Sequence, residues 1–342
     1  MNTEYTSAYL SELTNGTVNF DPYYVEQIEN IHSAPLPHLP GEVIEFVEIK
    51  PKNALPDRPP VIYIPGFTEG IIAKAPFGIA LAELGEHVII PDQNRAEKVT
   101  VNNASAAQAR NYLAIIEANG WQNQTVNFAA HSLGGIIVTE MAAEAKRRGW
   151  TCFDEARIAM LAPAGHDDRG LVSLASRFAK LMLSERGTDK ELSDETGLMM
   201  KAGTANFMES PVRTLKEVLN LNKTEIRYEK LDDKHPGLID FVGKVIIFGY
   251  THDAMFPAKK IDRIAKKAMQ AGAGYATPVA FGPVVDENGS QIIETYLNPS
   301  SGRLSEFKAA VINRNPSTHN DEQFNPRRVA GAVSQFFDIT TH

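Results

Sequence analysis

The feature that most constrains the fold is a short junction between an apolar run and a helical pattern. Residues 125–129 fit a buried strand, residues 130–134 read AHSLG, and residues 136–145 repeat apolar side chains at helical spacing before a basic turn and Gly149. Small neighbours around a serine let the backbone bend sharply, and Ala130 is small enough for such a bend. The sequence therefore predicts a strand, a tight turn that carries Ser132, and a helix.

Ser132 has two interpretations at this point. Serine is a favoured N-cap residue, so its hydroxyl could simply cap the following helix. Alternatively, the turn is a nucleophile elbow, which holds a serine hydroxyl out at the edge of a sheet. The usual elbow motif begins with glycine, where this chain has Ala130. The order strand, turn, helix is the context that the elbow requires, and it favours the second interpretation.

Strand and helix patterns alternate around this junction. Such an alternation predicts an α/β fold, with a mostly parallel central sheet and helices on both faces. The strand patterns cover residues 42–49, 61–64, 87–90, 125–129, 156–161 and 244–250, and the helical patterns cover residues 71–84, 105–118, 136–148 and 329–337.

The alternation stops between residues 165 and 243, where the pattern is helical. We therefore expect a core domain over residues 41–164 and 244–342, a helical cap insert over residues 165–243, and an N-terminal extension over residues 1–40. In that extension, apolar residues between 23 and 28 are candidate packing contacts, and the prolines between 35 and 40 predict an extended linker into the first strand. The helical patterns of the insert cover residues 171–183, 192–203 and 211–221.

Methionines cluster in this insert. Methionine commonly fills gaps in cores, which favours packing of the insert onto the core domain. The alternative is that these side chains line a flexible apolar pocket over the functional site. The candidate pocket residues are Met182, Met199, Met200 and Met208, together with His131 beside the serine and Met255 and Phe256 after a later strand.

Two motifs further along the chain complete a pattern that resembles the α/β-hydrolase family. The strand at residues 244–250 runs into the turn THDAMFP, where the family carries the acid of its catalytic triad, so the resemblance implies Asp253. His319 precedes the last helix as the family's catalytic histidine does, which implies that it is the base. The order Ser132, Asp253, His319 is the family's order of nucleophile, acid and base.

The resemblance also implies an oxyanion hole. The loop PGF after residues 61–64 lies where the family has its oxyanion loop, which implies the backbone N–H groups of Phe67 and Leu133 as donors. Pro65 departs from the histidine that is usual there. A predicted hairpin over residues 277–297 accounts for the long separation between the implied acid and base.

Other histidines fit these roles less well. His252 adjoins Asp253 and would face away from the site if that aspartate faces it. His166 precedes Asp167 and Asp168, a group that resembles part of a metal site. A polar turn that caps the next helix explains the same group, since the remaining ligands of a metal geometry are missing from the pattern. We therefore predict no metal and no cofactor.

The nucleophile type implies the reaction. Epoxide hydrolases and haloalkane dehalogenases of the family use aspartate at this position, so Ser132 implies acyl chemistry through an acyl-enzyme. An apolar cap favours a small hydrophobic ester, as in an esterase or lipase. The same triad also serves thioesterases, amidases or peptidases, acyltransferases and C–C hydrolases. A further alternative is a small-molecule receptor that keeps the fold, like the family's hormone receptors.

Composition excludes several other classes. The net charge of −8 argues against a general nucleic-acid binder. No apolar run reaches the roughly 18 residues of a membrane span, and the N-terminus lacks the basic start and apolar region of a signal peptide, which predicts a cytoplasmic protein. The single cysteine, Cys152, can form neither an internal disulfide nor a multi-cysteine metal site.

Overall fold

The computed structural model describes residues 10, 18–66, 70–93, 97–165, 211–223, 226, 244–250, 277–281, 321–324 and 326–338 of the 342-residue chain. Within these residues, eight strands form one sheet in the order β1-β2-β4-β3-β5-β6-β7-β8. The strands are β1 (Ile31–Pro35), β2 (Val43–Ile49), β3 (Val61–Ile64), β4 (Val88–Pro91), β5 (Asn127–His131), β6 (Arg157–Leu161), β7 (Lys244–Tyr250) and β8 (Thr277–Phe281).

The six strands β3 to β8 pair in parallel, and β2 pairs antiparallel with both β1 and β4. The predicted α/β class with a mostly parallel sheet is therefore confirmed. Parallel strands place their carboxyl ends at one edge of the sheet, which is where ligands bind in open sheets of this kind. The turn after β5, which carries Ser132, lies at that edge.

Helices cover both faces of the sheet, as the sequence predicts. The described helices are α1 (Pro22–Glu29), α2 (Ile71–Glu83), α3 (Ala104–Ala118), α4 (Gly134–Arg147), α5 (Pro211–Lys223), α6 (Asp321–Phe324) and α7 (Pro326–Asp338). Helices α3 and α4 pack on one face, and α1, α2 and α7 pack on the other. None of the helices in the described part of the chain is long and apolar enough to cross a bilayer.

Successive residues of each central strand are buried in opposite cores. In β5, Phe128 packs with α3 and α4, whereas its neighbour Ala129 packs in the core on the opposite face. Strands that are covered on both faces are apolar at every position rather than at alternate ones. This explains why the continuous apolar runs in the sequence predicted the central strands closely.

The N-terminal extension forms a helix and a strand that the sequence did not predict, and three of its predicted packing contacts are buried. Residues 22–29 form α1, whose side chains Tyr24, Val25 and Ile28 are buried, and residues 31–35 pair with β2 as the edge strand β1. Pro35 ends this edge strand, a position where proline removes no hydrogen bond from the interior of the sheet. The prolines of the predicted linker therefore lie at the end of β1 and directly after it.

The region after β7 also contributes to the sheet. Residues 277–281, which open the predicted hairpin, pair in parallel with β7 as β8. The remainder of that hairpin lies outside the described residues. In the insert, α5 confirms the helix predicted at residues 211–221, while the patterns at residues 171–183 and 192–203 lie outside the described part of the chain.

A buried ion pair fastens α7 at the amino ends of the central strands. Arg58, just before β3, pairs with Glu86, just before β4, and with Asp338 at the end of α7. The Ser334 hydroxyl donates to Glu86 Oε1 over 2.8 Å. Burial raises the pKa of the Glu86 carboxyl, and the hydrogen bond from Ser334 and the charge of Arg58 oppose that shift. This pair lies at the edge of the sheet opposite Ser132.

Candidate active site

Ser132 occupies a strained turn between β5 and α4. Its φ of +50° lies in the left-handed region, which costs a non-glycine residue about 1 kcal/mol or more. Leu133 already has a helical backbone, so Ser132 is the last residue before the helix. Its left-handed φ differs from the extended backbone of an ordinary N-cap serine, and it gives the turn the strained strand-to-helix geometry of a nucleophile elbow.

Hydrogen bonds hold this turn in its strained conformation. Ser132 donates its N–H to the Leu161 carbonyl over 2.9 Å, and its own carbonyl accepts from Gly135 at 3.1 Å and from Ala164 at 2.9 Å. The loop after β6 thus wraps around the elbow. It contains a second left-handed residue, Ala162, with φ +41°. Strained backbone persists only where its surroundings determine it in this way, and such strain clusters at functional sites.

The two glycines after the serine are required by close packing. A Cβ atom on Gly134 would lie 2.5 Å from the Ile64 carbonyl oxygen and 3.0 Å from that of Pro65. A Cβ atom on Gly135 would lie 2.8 Å from the Cβ of Pro163. The first turn of α4 is therefore pressed against the carboxyl ends of β3 and β6.

We expect Gly134→Ala to lower the free energy of unfolding by roughly 1–3 kcal/mol, because overpacking typically costs that much and the clashing atoms are backbone carbonyls that cannot rotate away. Urea denaturation of both proteins measures this loss. Gly120→Ala is the matched control, since its added Cβ meets nothing within 4 Å and only its φ of +71° opposes the change. A loss at Gly134 no larger than that at Gly120 would show that the contact is not as tight as described.

The same packing brings the segments that carry the predicted oxyanion donors together. Leu133 precedes the first turn of α4, where N–H groups have no acceptor within the helix. The loop after β3 reaches this turn through Ile64 and Pro65, and Gln93 Nε2 fixes it by donating to the Gly66 carbonyl over 2.8 Å. Phe67, the other predicted donor, lies outside the described residues.

A fully buried polar cluster lies beside the elbow, and sequence reasoning missed it. Lys74 Nζ is 3.1 Å from His131 Nδ1 and 3.2 Å from Glu322 Oε1, and the His131 and Glu322 atoms are 3.4 Å apart. The Tyr63 hydroxyl lies 3.5 Å from Glu322 Oε1. Lys74 and Glu322 have 0% of their side-chain surface exposed. The sequence feature that could have indicated this cluster is a lysine within an otherwise apolar helical pattern.

Gly165, where the predicted insert begins, and Ile226 within it both lie beside α4. Gly165 accepts a hydrogen bond from the Ile226 N–H over 3.0 Å, and the Ile226 side chain packs against Gly165 and Gly135. Between these points, α5 is fastened to the loop before α3, because Arg213 donates to the Glu97 carbonyl over 2.9 Å. Two described points of the predicted insert, Gly165 and Ile226, therefore lie next to the turn that carries Ser132.

Of the predicted site residues, the structure describes Ser132, Leu133 and His131, and it places the three at the carboxyl end of β5. His131, predicted to line a pocket, is 1% exposed and faces Lys74. The roles of all the predicted site residues, these three included, remain predictions. The residues outside the described part of the chain are Asp253, His319, Phe67, Met182, Met199, Met200, Met208, Met255 and Phe256, together with the competing candidates His166, Asp167, Asp168 and His252.

The sheet order, the parallel central strands and a left-handed serine between β5 and α4 together define the α/β-hydrolase fold, and the chain has that fold. No family model matches the sequence, and no curated protein matches it by sequence. Solved structures match it by shape, which confirms the predicted resemblance at the level of the fold.

Three such structures have similar folds at low sequence identity. A membrane phospholipase A described as a bacterial virulence factor has a TM-score of 0.55 and 13% identity, over 98% of this chain and 92% of its own. A bromoperoxidase from Bacillus anthracis has a TM-score of 0.55 and 16% identity, over 90% and 99%. A thermophilic esterase from Thermogutta terrifontis has a TM-score of 0.52 and 12% identity, over 90% and 97%.

Proposed function

We propose that this chain is a serine hydrolase that cleaves small hydrophobic carboxylic esters through an acyl-enzyme. The observation that carries the proposal is the left-handed Ser132 at the carboxyl end of β5, held there by Leu161, Gly135 and Ala164. A helix cap needs no such strain, because the preferred N-cap conformation is the ordinary extended one. Presentation of a nucleophile on a sharp turn is the function for which this strain has a physical reason.

The proposed roles follow from the chemistry of acyl transfer. Ser132 Oγ attacks the ester carbonyl as its proton passes to His319, while Asp253 holds the imidazole in the right tautomer and stabilises the imidazolium. The tetrahedral oxyanion accepts hydrogen bonds from the backbone N–H groups of Leu133 and Phe67, each worth roughly 3–4 kcal/mol in the transition state. The alcohol leaves with the proton from His319, and water then hydrolyses the acyl-enzyme with the same histidine as base.

The inserted segment supports a hydrophobic substrate. We propose that residues 165–243 form a cap over Ser132, because Gly165, where the segment begins, and Ile226 within it both lie next to α4. Its methionines would give the cap an adaptable apolar surface. The similar structures described as an esterase and a phospholipase A are in line with an ester as the bond that is cleaved.

Hydrolysis of p-nitrophenyl esters from acetate to palmitate tests this proposal. We expect turnover with a maximum at one acyl length, because a pocket of fixed depth gains apolar contact only until it is full. A fluorophosphonate probe, which reacts with activated serines by loss of fluoride, should label one peptide, the one that contains Ser132. Absence of turnover on every ester would contradict the esterase proposal, and a label on another serine would contradict the nucleophile.

A further inference from the structure

The buried cluster of Lys74, His131, Glu322 and Tyr63 contains a complete ion pair. Lys74 supplies the cation and Glu322 the anion, 3.2 Å apart and both fully buried. The Lys74 ammonium also lies 5.4 Å from the centre of the Tyr63 ring, where the face of the ring attracts a cation. An unpaired charge at this depth would be strongly destabilising, so each member of the pair depends on the other.

Lys74 contacts both of its polar neighbours through one atom. A lysine ammonium has three N–H donors, so it can bond to more than one acceptor. Lys74 Nζ lies 3.1 Å from His131 Nδ1 and donates to Glu322 Oε1 over 3.2 Å. Lys74 therefore helps to hold the imidazole ring of the residue that directly precedes Ser132.

The cluster joins segments that are distant in sequence, and each of these segments carries or adjoins a residue of the proposed mechanism. Lys74 lies in the first turn of α2, just after the loop that carries Phe67. His131 is the last residue of β5, and Glu322 lies in α6, which begins shortly after His319 in the sequence. One lysine thus connects the chain near the oxyanion loop, the elbow, and the helix that follows the proposed base.

We propose that Lys74 is a positioning residue of the site. Through Glu322 and His131 it holds these segments in the relative positions that Ser132 needs in order to react. The inference rests on the proposed function, because it concerns the reactivity of Ser132. Lys74 itself would touch no substrate. Misplacement of reacting groups by about 1 Å can cost on the order of 100-fold in rate. The gain in rate from fixed positions can therefore outweigh the cost of burying a pair of charges.

The second buried pair of the fold supplies a matched control. Arg58 and Glu86 also join distant segments through a cation beside a fully buried carboxylate, but they lie at the amino ends of the strands. Lys74→Met and Arg58→Met therefore remove comparable charges at opposite edges of the sheet. Both should lower the melting temperature, whereas only a positioning role makes the rate at Ser132 depend on Lys74.

The experiment measures kcat and KM on the best p-nitrophenyl ester, the rate of fluorophosphonate labelling of Ser132, and the melting temperature. We expect Lys74→Met to lower kcat and the labelling rate by about 10–100-fold with KM within about twofold. Glu322→Gln, which keeps the shape of the side chain, should cause a loss of the same size. The double variant should lose no more than either single one, because residues that act as a unit are not additive.

Each outcome has a distinct meaning. Ser132 labelled equally fast in wild type and in folded Lys74→Met would overturn the inference alone, and so would an equal loss of rate in Arg58→Met. If Lys74→Met does not fold, Glu322→Gln replaces it in the test, and a labelling rate of Ser132 equal to that of the wild type would then overturn the inference. Failure of the probe to label Ser132 in the wild type would overturn the proposed function, and the positioning role with it.

Discussion

Replacing Ser132 with alanine is expected to lower kcat on the preferred ester by roughly 10⁴–10⁶-fold, the range found when a triad nucleophile is removed. Without Oγ no acyl-enzyme can form, and only binding and the oxyanion donors remain to accelerate attack by water. Stability should change little, because alanine and serine both carry the cost of the left-handed φ of +50°. Steady-state kinetics and a thermal melt measure the two effects separately.

Ser334→Ala is the matched control for this variant. Both serines are 6% exposed, but Ser334 donates to Glu86 at the opposite edge of the sheet. We expect the control to lose stability, since a buried carboxylate loses a hydrogen bond, and to keep its kcat. If Ser132→Ala retained kcat within about tenfold of the wild type, Ser132 would not be the nucleophile, because loss of a triad nucleophile costs far more.

The sequence predicted the elbow because the information there is local. A buried strand, a small-residue turn and an amphipathic helix follow one another without interruption, and each has its own periodicity. The need for glycine at Gly134 is different, since it arises from the carbonyl of Ile64 on a neighbouring strand. The motif contained this glycine, but only the packing of α4 against β3 explains it.

The buried cluster could not be predicted, because its members are distant in sequence. Lys74 and Glu322 come together only when α2 and α6 pack over the same end of the sheet. A lysine in an apolar helix pattern indicates a buried charge, but no sequence rule says which carboxylate will meet it. Strand β1 was missed for a related reason, since its residues become a strand by pairing with β2 rather than through their own pattern.

Strain and rigidity occur together at the carboxyl edge of the sheet. Ser132 and Ala162 both adopt left-handed backbone, and the hydrogen bond from Ala164 to the Ser132 carbonyl joins their two turns. Such strain lowers stability by about 1–3 kcal/mol at each residue, so it persists only where surrounding contacts determine it. The glycine contacts of α4 and the Lys74 cluster lie on two sides of this turn, as the support of a preorganised site would.

His319→Ala should lower kcat by roughly 10⁴–10⁶-fold, nearly as much as loss of the nucleophile, because the serine hydroxyl is a poor nucleophile unless a base removes its proton. The variants His166→Ala and His252→Ala are the controls, since both histidines compete with His319 on sequence grounds alone. We expect both controls to keep kcat within a few-fold of the wild type. Steady-state rates and fluorophosphonate labelling of the three variants identify the base directly.

Asp253→Asn completes this experiment, because it tests the acid by its effect on the base. An asparagine keeps the shape of the side chain but favours the wrong tautomer of the imidazole, and the same change in a serine protease costs about 10⁴-fold in kcat. We expect a comparable loss here, and the double variant Asp253→Asn/His319→Ala should be no slower than His319→Ala, since the acid acts only through the base. A large loss in His252→Ala with full activity in His319→Ala would instead assign the base to the residue beside Asp253, and the long separation between the proposed acid and base would then need no explanation.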